Sequence, residues 1–245
     1  MKFIIANWKM HIPNIKSWQK KPNLNKDIRI IIAPPFPFLN EVKKNISWAE
    51  LGAQDVFYKD FPNGGAFTGE VSASMLKYFG VKYVIIGHSE RRKYGKETDE
   101  IINEKILLSL KKGFQVILCI GEPLNIRLKG ISATDNFLKN QLKIDLNKVT
   151  KNFQNNIFIA YEPIWAIGSG RTDSLNDITE VAGLVRKFLA TKGLNKIKFL
   201  YGGSVSDSNV GEFLKSKEID GVLVGSSSVD AKEFKKILNV VLKLK

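Results

Sequence analysis

The stretch Val84-Ile85-Ile86-Gly87-His88-Ser89-Glu90-Arg91-Arg92 contains the arrangement that decides the fold. Three β-branched residues are followed at once by a glycine and a run of polar and charged side chains. A short, wholly apolar run is typical of a strand that is covered on both faces, as in a parallel sheet. The stretch therefore predicts a buried parallel strand with chemically active residues at its carboxyl end.

Seven further apolar runs extend this arrangement over the chain. Segments with helical periodicity separate most of them, such as Thr98–Lys111, Ala133–Lys148 and Leu175–Leu189. Clusters of small or reactive residues follow almost every run. The eight predicted strands are Phe3–Ala6, Ile28–Ala33, Leu51–Val56, Val81–Ile86, Phe114–Ile120, Ile157–Tyr161, Ile197–Tyr201 and Gly221–Val224.

Repeated strand–helix units favour an α/β fold of the (β/α)8 barrel type over a doubly wound open sheet. A barrel gathers the carboxyl ends of all its strands at one rim, whereas an open sheet needs only two or three loops at its switch point. No linker or low-complexity segment interrupts the pattern, so we expect one domain over residues 1–245. The first helix should be short, because Pro13 and Pro22 lie between Lys9 and Ile28.

Helix ends give finer expectations. Thr98, Thr134, Ser174 and Ser206 are plausible N-caps. Gly80, Gly113 and Gly193 follow helical patterns, where a left-handed glycine often ends a helix.

The composition bounds the class of protein. With 245 residues, 44% of them hydrophobic and 25% charged, the chain fits a soluble globular domain with a sizeable core. The single cysteine, Cys119, excludes an intrachain disulfide framework and a cysteine-rich zinc site. Phe3–Ala6 is shorter than the apolar stretch of about 7 residues that a secretory signal needs, and nothing approaches the roughly 18 residues of a membrane span. We therefore expect a cytoplasmic protein with no membrane partner.

The net charge of +14 favours an anionic partner. The lysines are, however, spread along the chain, and the densest stretches, Lys139–Lys151 and Lys232–Lys245, alternate with apolar residues at helical spacing. They fit solvated helix faces better than a dedicated nucleic-acid site. Attraction of a small phosphorylated dianion is the simpler use of the charge.

His88 directly follows a predicted strand and precedes Ser89, Glu90 and two arginines. If a helix begins there, its positive end disfavours the charged imidazolium. A structural histidine is the alternative interpretation, but the preceding glycine and the polar residues that follow favour a functional one. His11, the other histidine, lies in a predicted loop without a partner motif and is expected at the surface.

Glu162 ends a predicted strand, and the loop after it is rich in glycine and apolar residues. Such a loop fits a lid that excludes water from a carboxylate. A structural turn that packs Trp165 is the alternative. The residues alone leave four candidate bases open, namely Glu162, Glu122, Glu90 and Glu70.

Two glycine-serine turns, Tyr201–Val205 and Val224–Ser228, follow the last two predicted strands. Loops at these positions of a barrel, with backbone N–H groups bared by small residues, commonly bind phosphate. At the first strand, alternation would point Asn7 and Lys9 to the same side, where the lysine could meet an anion.

Together these residues resemble the triosephosphate isomerase family from the first strand to the eighth. The motifs occur in the family's order: Asn7-x-Lys9, Gly65–Glu70, Gly87–Arg92, Cys119–Glu122, Tyr161–Gly168, Tyr201–Val205 and Gly225–Ser227.

The resemblance implies a reaction and roles for the candidate residues. Glu162 would be the base that moves a proton between C1 and C2 of dihydroxyacetone phosphate and glyceraldehyde 3-phosphate, in glycolysis and gluconeogenesis. His88 would be the neutral imidazole that polarises the carbonyl, and this family is the standard example of such a histidine. Asn7 and Lys9 would stabilise the enediolate oxygens, and Glu90 would be a second carboxylate close to Lys9.

The resemblance also implies the phosphate ligands and the partners. Backbone N–H groups would hold the phosphate, and Ile167 and Leu223 would cover the base. No metal and no organic cofactor are implied. The loop that carries Thr68 would enter the second subunit of a homodimer. The predicted phosphate-binding residues are Gly168, Ser204, Gly225 and Ser226.

The sequence departs from the family pattern at four places. Asp55 stands where asparagine is usual, and the Tyr58–Gly64 stretch is about three residues longer. The trailing hinge of the lid reads Arg171-Thr172-Asp173 rather than Lys-Thr-Ala, and Ser226 replaces a usual glycine.

Two other functions remain as alternatives. Another phosphate-binding barrel, such as a sugar-phosphate aldolase or an amino-acid-biosynthetic isomerase, would share the phosphate turns but lack the histidine and lid motifs. A binding role for the basic surface is the second alternative.

Overall fold

The computed structural model describes residues 1–23, 26–61, 63–166 and 173–244. Eight parallel strands form a closed barrel, in which each strand pairs with its neighbours in the chain and the first pairs with the eighth. The predicted single-domain (β/α)8 barrel is confirmed. The strands are β1 Lys2–Asn7, β2 Ile28–Ala33, β3 Glu50–Ala53, β4 Tyr83–Ile86, β5 Gln115–Ile120, β6 Ile157–Tyr161, β7 Lys198–Tyr201 and β8 Gly221–Val224.

The α-helices of the described residues surround the barrel and cover its outer face. They are α1 Leu39–Asn45, α2 Ala73–Tyr78, α3 Ser89–Tyr94, α4 Asp99–Lys111, α5 Leu124–Arg127, α6 Ile131–Asp145, α7 Leu175–Thr191, α8 Val210–Lys215 and α9 Ala231–Leu242.

Alternation along the strands divides the core in two. One set of side chains fills the barrel interior, where the rings of Phe3 and Phe158 meet edge to face with centroids 4.8 Å apart. The other set points outward and packs under the helices. Because both faces of every strand are covered, continuous apolar runs such as Ile30–Ile32 are buried throughout.

The first crossover is thin, as expected from its prolines. A single 3₁₀ turn, Ile15–Trp18, replaces the helix between β1 and β2. Trp18 packs between Trp8 and Trp48, with ring centroids 4.9 and 6.3 Å away. These tryptophans supply the apolar cover that a longer helix would otherwise give.

Several predicted boundaries were wrong for identifiable reasons. The third strand was expected to run to Val56 but ends at Ala53, because the Gln54 side chain turns to donate hydrogen bonds to two carbonyl oxygens. The helix predicted over Ala133–Lys148 runs from Ile131 to Asp145, and Lys148 has a φ of 62°.

Two of the four predicted N-caps are confirmed and two are wrong. Thr98 and Ser174 accept hydrogen bonds from backbone N–H groups and cap α4 and α7 as expected. Thr134 lies buried inside α6, which is capped by Gly130. Ser206 does not cap α8, since Asn209 occupies that position. The left-handed glycines are confirmed, with φ of 78°, 76° and 71° at Gly80, Gly113 and Gly193.

Candidate active site

The carboxyl ends of five strands surround one cavity of 230 Å³. Asn7 ends β1, His88 lies two residues after β4, Glu162 follows β6, and the two glycine-serine turns follow β7 and β8. The structure thus brings together residues that are far apart in the sequence. The lining residues are Asn7, Lys9, His88, Glu162, Gly202, Gly203, Ser204, Val205, Leu223, Gly225, Ser226 and Ser227.

Several residues with predicted roles in the lid lie outside the described residues. Gly168, predicted to bind phosphate, and Ile167, predicted to cover the base, both lie outside them. The same holds for Arg171 and Thr172 of the predicted hinge, while Asp173 is described.

His88 is held in one orientation by the helix that begins next to it. It is the N-cap of α3, and its Nδ1 accepts a hydrogen bond from the backbone N–H of Glu90 at 3.2 Å. A nitrogen that accepts an N–H carries a lone pair and no proton. This contact favours the tautomer that carries its ring proton on Nε2. That nitrogen lies 3.3 Å from Oε1 of Glu162.

Glu162 is buried, with 2% of its surface exposed. The backbone N–H of Ser89 donates to its Oε2 at 3.4 Å. Two glycines make room for it: a Cβ at Gly121 would lie 1.8 Å from the carbonyl oxygen of Glu162, and one at Gly202 would lie 2.8 Å from its Cγ. Neither glycine was singled out from the sequence as necessary for this packing.

Cys119 lies beneath the same carboxylate in the barrel interior. Burial, reinforced by the nearby charge of Glu162, raises the pKa of its thiol well above the ordinary value. The thiol is consequently inert at neutral pH.

Lys9 reaches the cavity through an unusual backbone conformation. β1 ends at Asn7, and Lys9 has a φ of 48°, so strand alternation does not explain why the two side chains share a side. The Asn7 Oδ1 accepts from the Lys9 N–H at 3.0 Å, and the Gln54 amide donates to the Lys9 carbonyl at 2.9 Å. These bonds hold the left-handed residue in place.

The Lys9 ammonium forms an ion pair with Glu90, with Nζ 2.7 Å from Oε1. Partial burial of Glu90 would raise the pKa of its carboxyl, but the hydrogen bond from Lys9 and the nearby positive charge outweigh burial and hold that pKa below its usual range. Glu90 is therefore a charged partner of Lys9 beside the cavity.

The other two glutamates take no part in the cavity. Glu122 is fully buried and accepts hydrogen bonds from Tyr161 Oη at 3.0 Å and Trp165 Nε1 at 3.2 Å. Burial raises the pKa of its carboxyl. Glu70 is exposed in the loop that carries Thr68. Of the four candidates, Glu162 alone lines the cavity.

Polar side chains in or near the two glycine-serine turns bind the backbone of these turns. The Asn209 amide donates to the Ser204 carbonyl at 3.0 Å. The buried Ser228 hydroxyl lies 2.9 Å from the Val224 carbonyl oxygen and 2.7 Å from that of Gly225. Gly225 lies against Lys9, whose Cε would be 3.3 Å from a Cβ at that position.

A cluster of buried charged residues connects the loop after β3 to α3 and α4. The sequence analysis did not predict it. Lys105, which is 2% exposed, places its Nζ 2.6 Å from Asp55 and 2.7 Å from Glu97. Arg91 of α3 bridges the same two carboxylates at 2.9 and 2.5 Å. Burial raises the pKa of Asp55 despite these cations. We call these four residues the Asp55 cluster.

Across residues 1–23, 26–61, 63–166 and 173–244, no group of three or more His, Cys, Asp or Glu side chains is arranged to hold a metal ion. No helix within that part of the chain is long and apolar enough to cross a membrane.

A closed (β/α)8 barrel whose strand ends present a buried histidine–glutamate pair, a lysine and two glycine-serine turns to one cavity defines a barrel enzyme. The family model described as triosephosphate isomerase matches residues 2–241. The triosephosphate isomerase of Thermoanaerobacter pseudethanolicus is 41% identical over 96% of this chain and 98% of that protein. That of Borreliella burgdorferi is 42% identical over 98% of both chains. The chain belongs to the triosephosphate isomerase family, and it is an isomerase.

Proposed function

We propose that this chain interconverts dihydroxyacetone phosphate and D-glyceraldehyde 3-phosphate, with Glu162 as the base and His88 as the neutral electrophile. The observation that carries the proposal is the pairing of an imidazole with a buried carboxylate, Nε2 to Oε1 at 3.3 Å, at the edge of a cavity. Sequence identity near 40% to named triosephosphate isomerases supports the same reaction.

The chemistry follows from these two groups. Glu162 takes a proton from C1 of dihydroxyacetone phosphate, and the electrons of that C–H bond form a C1–C2 double bond. The carbonyl oxygen becomes an enediolate oxygen, to which the Nε2–H of His88 donates a hydrogen bond. The hydroxyl hydrogen on O1 passes to O2, and the same carboxyl returns its proton to C2, which leaves C1 as the aldehyde carbonyl. The reaction shifts one proton between neighbouring carbons and one between their oxygens, so acid–base and electrostatic help suffice.

Lys9 and Asn7 supply the electrostatic part of the proposal. Both line the cavity, and the Lys9 ammonium is held in place by Glu90. A fixed positive charge in a partly desolvated site stabilises a developing oxyanion without reorganisation of the site. Glu90 thus positions Lys9 and is not the base.

The phosphate end of the substrate would lie against the turns after β7 and β8. Ser204, Gly225 and Ser226 line that side of the cavity, and we propose that their backbone N–H groups bind phosphate. Leu223 also lines the cavity and is proposed to cover the base. Gly168 and Ile167 keep their predicted roles as part of this proposal, although they lie outside the described residues.

A homodimer through the loop that carries Thr68 belongs to the same proposal. Large apolar side chains are exposed, among them Met10, Ile12, Tyr78 and Tyr94 at 96%, 88%, 83% and 72%. Exposed apolar side chains of this size are candidates for contact with another chain. A cytoplasmic location and a role in glycolysis and gluconeogenesis are carried by the family resemblance.

The proposal is tested by a coupled assay of glyceraldehyde 3-phosphate isomerisation on the purified chain and on Glu162→Gln. We expect efficient turnover by the unmodified chain and a loss of about 10²- to 10⁴-fold in kcat for the variant, because the amide cannot accept the proton. Glu122→Gln is the matched control, since it alters another buried glutamate at a strand end and should retain turnover within about tenfold. Undiminished activity of Glu162→Gln would falsify the assignment of the base.

A further inference from the structure

The cavity has little free positive charge to offer a phosphate dianion. Lys9 is the only cation among the described residues that line it, and its ammonium is already paired with Glu90 at 2.7 Å. Glu162 adds a carboxyl group to the lining, and Nδ1 of His88 already accepts the Glu90 N–H. The phosphate of the substrate must therefore be held mainly by uncharged donors, which are N–H and O–H groups.

The turn after β8 contains three consecutive serines that differ in what they contact. The Ser228 hydroxyl is buried and lies against the carbonyl oxygens of Val224 and Gly225. Ser226 is exposed and lines the cavity. Within the described residues, no hydrogen bond engages its hydroxyl. Only Ser228 is therefore needed to hold the turn together.

The backbone of the turn accepts a side chain at position 226. Ser226 begins a 3₁₀ turn and is not among the described residues with positive φ. A glycine, usual at this position in the family, is thus not required for the backbone conformation. The serine adds a hydroxyl to an exposed residue of the cavity lining, next to the proposed phosphate-binding N–H groups.

We propose that the Ser226 hydroxyl donates a hydrogen bond to the substrate phosphate, in addition to the backbone N–H groups of the turn. This inference rests on the proposed function only in taking the phosphate end to lie at the β8 turn. A hydroxyl that is already solvated at the cavity mouth loses little on binding, and a bond to a charged acceptor is among the stronger hydrogen bonds. The residue therefore raises the affinity for phosphorylated ligands.

The test is a ³¹P NMR titration that measures the Kd of inorganic phosphate without turnover, together with KM in the coupled assay. Ser226→Ala and Ser226→Gly should both raise the phosphate Kd by about 10-fold, because each removes the donor. Ser226→Thr, which keeps the hydroxyl, should restore most of the affinity. Ser227→Ala, which removes the neighbouring hydroxyl, should stay within about twofold of the unmodified chain.

Each remaining outcome decides against the inference. An unchanged or lower Kd in Ser226→Ala would show that the side chain only crowds the phosphate. A loss of affinity in Ser227→Ala alone would place the donor at Ser227. The proposed function fails separately, if the unmodified chain does not isomerise glyceraldehyde 3-phosphate whatever the phosphate titration shows.

Discussion

At the scale of single residues, hydrogen bonds orient the side chains around the cavity. The ring of His88 is oriented because its Nδ1 accepts the N–H of Glu90. Lys9 is oriented because Glu90 binds its ammonium and Gln54 binds its carbonyl. An enzyme that moves a proton needs such groups in defined states before the substrate arrives.

Lys9→Ala should lower both kcat and the affinity for substrate, because it removes the single described cation of the cavity. The measurement is the coupled assay, with KM and kcat determined separately. Lys16→Ala, at an exposed position of the first crossover, is the control and should change neither value. If Lys9→Ala changed only the free energy of unfolding, the electrostatic role of Lys9 would be wrong.

At the residue scale, the sequence predicted the contacts that a motif implies. It did not predict the contacts that depend on tertiary packing. The position of His88 after β4 predicted its helix-cap environment. The four glutamates could not be separated, because which strand-end carboxylate faces the cavity depends on neighbours such as Gly121 and Gly202. Those contacts join segments 40 residues apart and leave no local signal.

At the scale of elements, ion pairs connect the helices to the loops that carry the site. The Asp55 cluster joins the loop after β3 to α3 and α4. Gln54, next to Asp55, holds the backbone of Lys9, and α3 begins at His88. The cluster therefore supports both sides of the cavity.

Lys105→Met should destabilise the fold by about 3 kcal/mol, because it leaves two buried carboxylates without their buried cation. Urea unfolding measures the change. Lys111→Met, an exposed position on the same helix, is the matched control and is expected within about 0.5 kcal/mol of the unmodified chain. Equal stability of the two variants would show that the cluster adds nothing.

Lys105 carried a signal that the sequence analysis did not use. Ile102, Ile106 and Leu110 define the buried face of α4, and Lys105 lies on that face by helical spacing. A lysine on an apolar stripe indicates a buried ion pair. Its partners Asp55 and Glu97 come from other elements, so their identity required the structure. The wrong N-caps at Thr134 and Ser206 likewise depended on where tertiary contacts begin each helix.

Asp173 makes stability depend on pH at the start of α7. Burial, together with the charges of Asp177 and Glu122, raises the pKa of this carboxyl from 3.8 to about 6, although Arg127 at 3.3 Å opposes the shift. Between about pH 4 and 6 the folded chain keeps the proton that the unfolded chain loses. This residue's contribution to stability must therefore fall as pH rises through that window.

Asp173→Asn should consequently flatten the pH dependence of the unfolding free energy between pH 4 and 6. The difference from the unmodified chain should grow with pH and reach on the order of 1 kcal/mol in favour of the variant at pH 7. Denaturant unfolding at a series of pH values measures it. Parallel curves for the two proteins over this range would contradict the raised pKa.

At the scale of the whole molecule, the barrel explains why distant motifs share one site. Eight parallel strands close in chain order, so every carboxyl end lies on the same rim. This feature was predictable, because polar clusters follow almost all of the apolar runs. The proposed interface between subunits rests on the resemblance alone, since a single chain does not specify which exposed apolar residues another chain covers.

The loop that carries Thr68 is anchored at its base to α2 and to the end of α4. Burial of Asp60 opposes ionisation, but hydrogen bonds from Lys112 and Ser74 lower its pKa to about 2. Thr68 itself is exposed. A loop that is anchored at its base and exposed at its tip suits insertion into a second subunit.

Light scattering should give twice the chain mass of 27.6 kDa for the unmodified protein. Thr68→Arg should shift the mass towards the monomer and reduce turnover, because a charge is buried at the proposed interface. Thr191→Arg adds the same charge at the exposed end of α7 and should leave the mass unchanged. A Thr68→Arg protein that remained a fully active dimer would place the interface elsewhere.

We propose that Glu162 moves a proton between two carbons of a triose phosphate. This role is tested by exchange of the C1 hydrogen of dihydroxyacetone phosphate with deuterium oxide, followed by proton NMR. We expect the unmodified chain to incorporate one deuterium at C1 during turnover and Glu162→Gln to incorporate none above the uncatalysed rate. Deuterium incorporation by Glu162→Gln at the rate of the unmodified chain would contradict it.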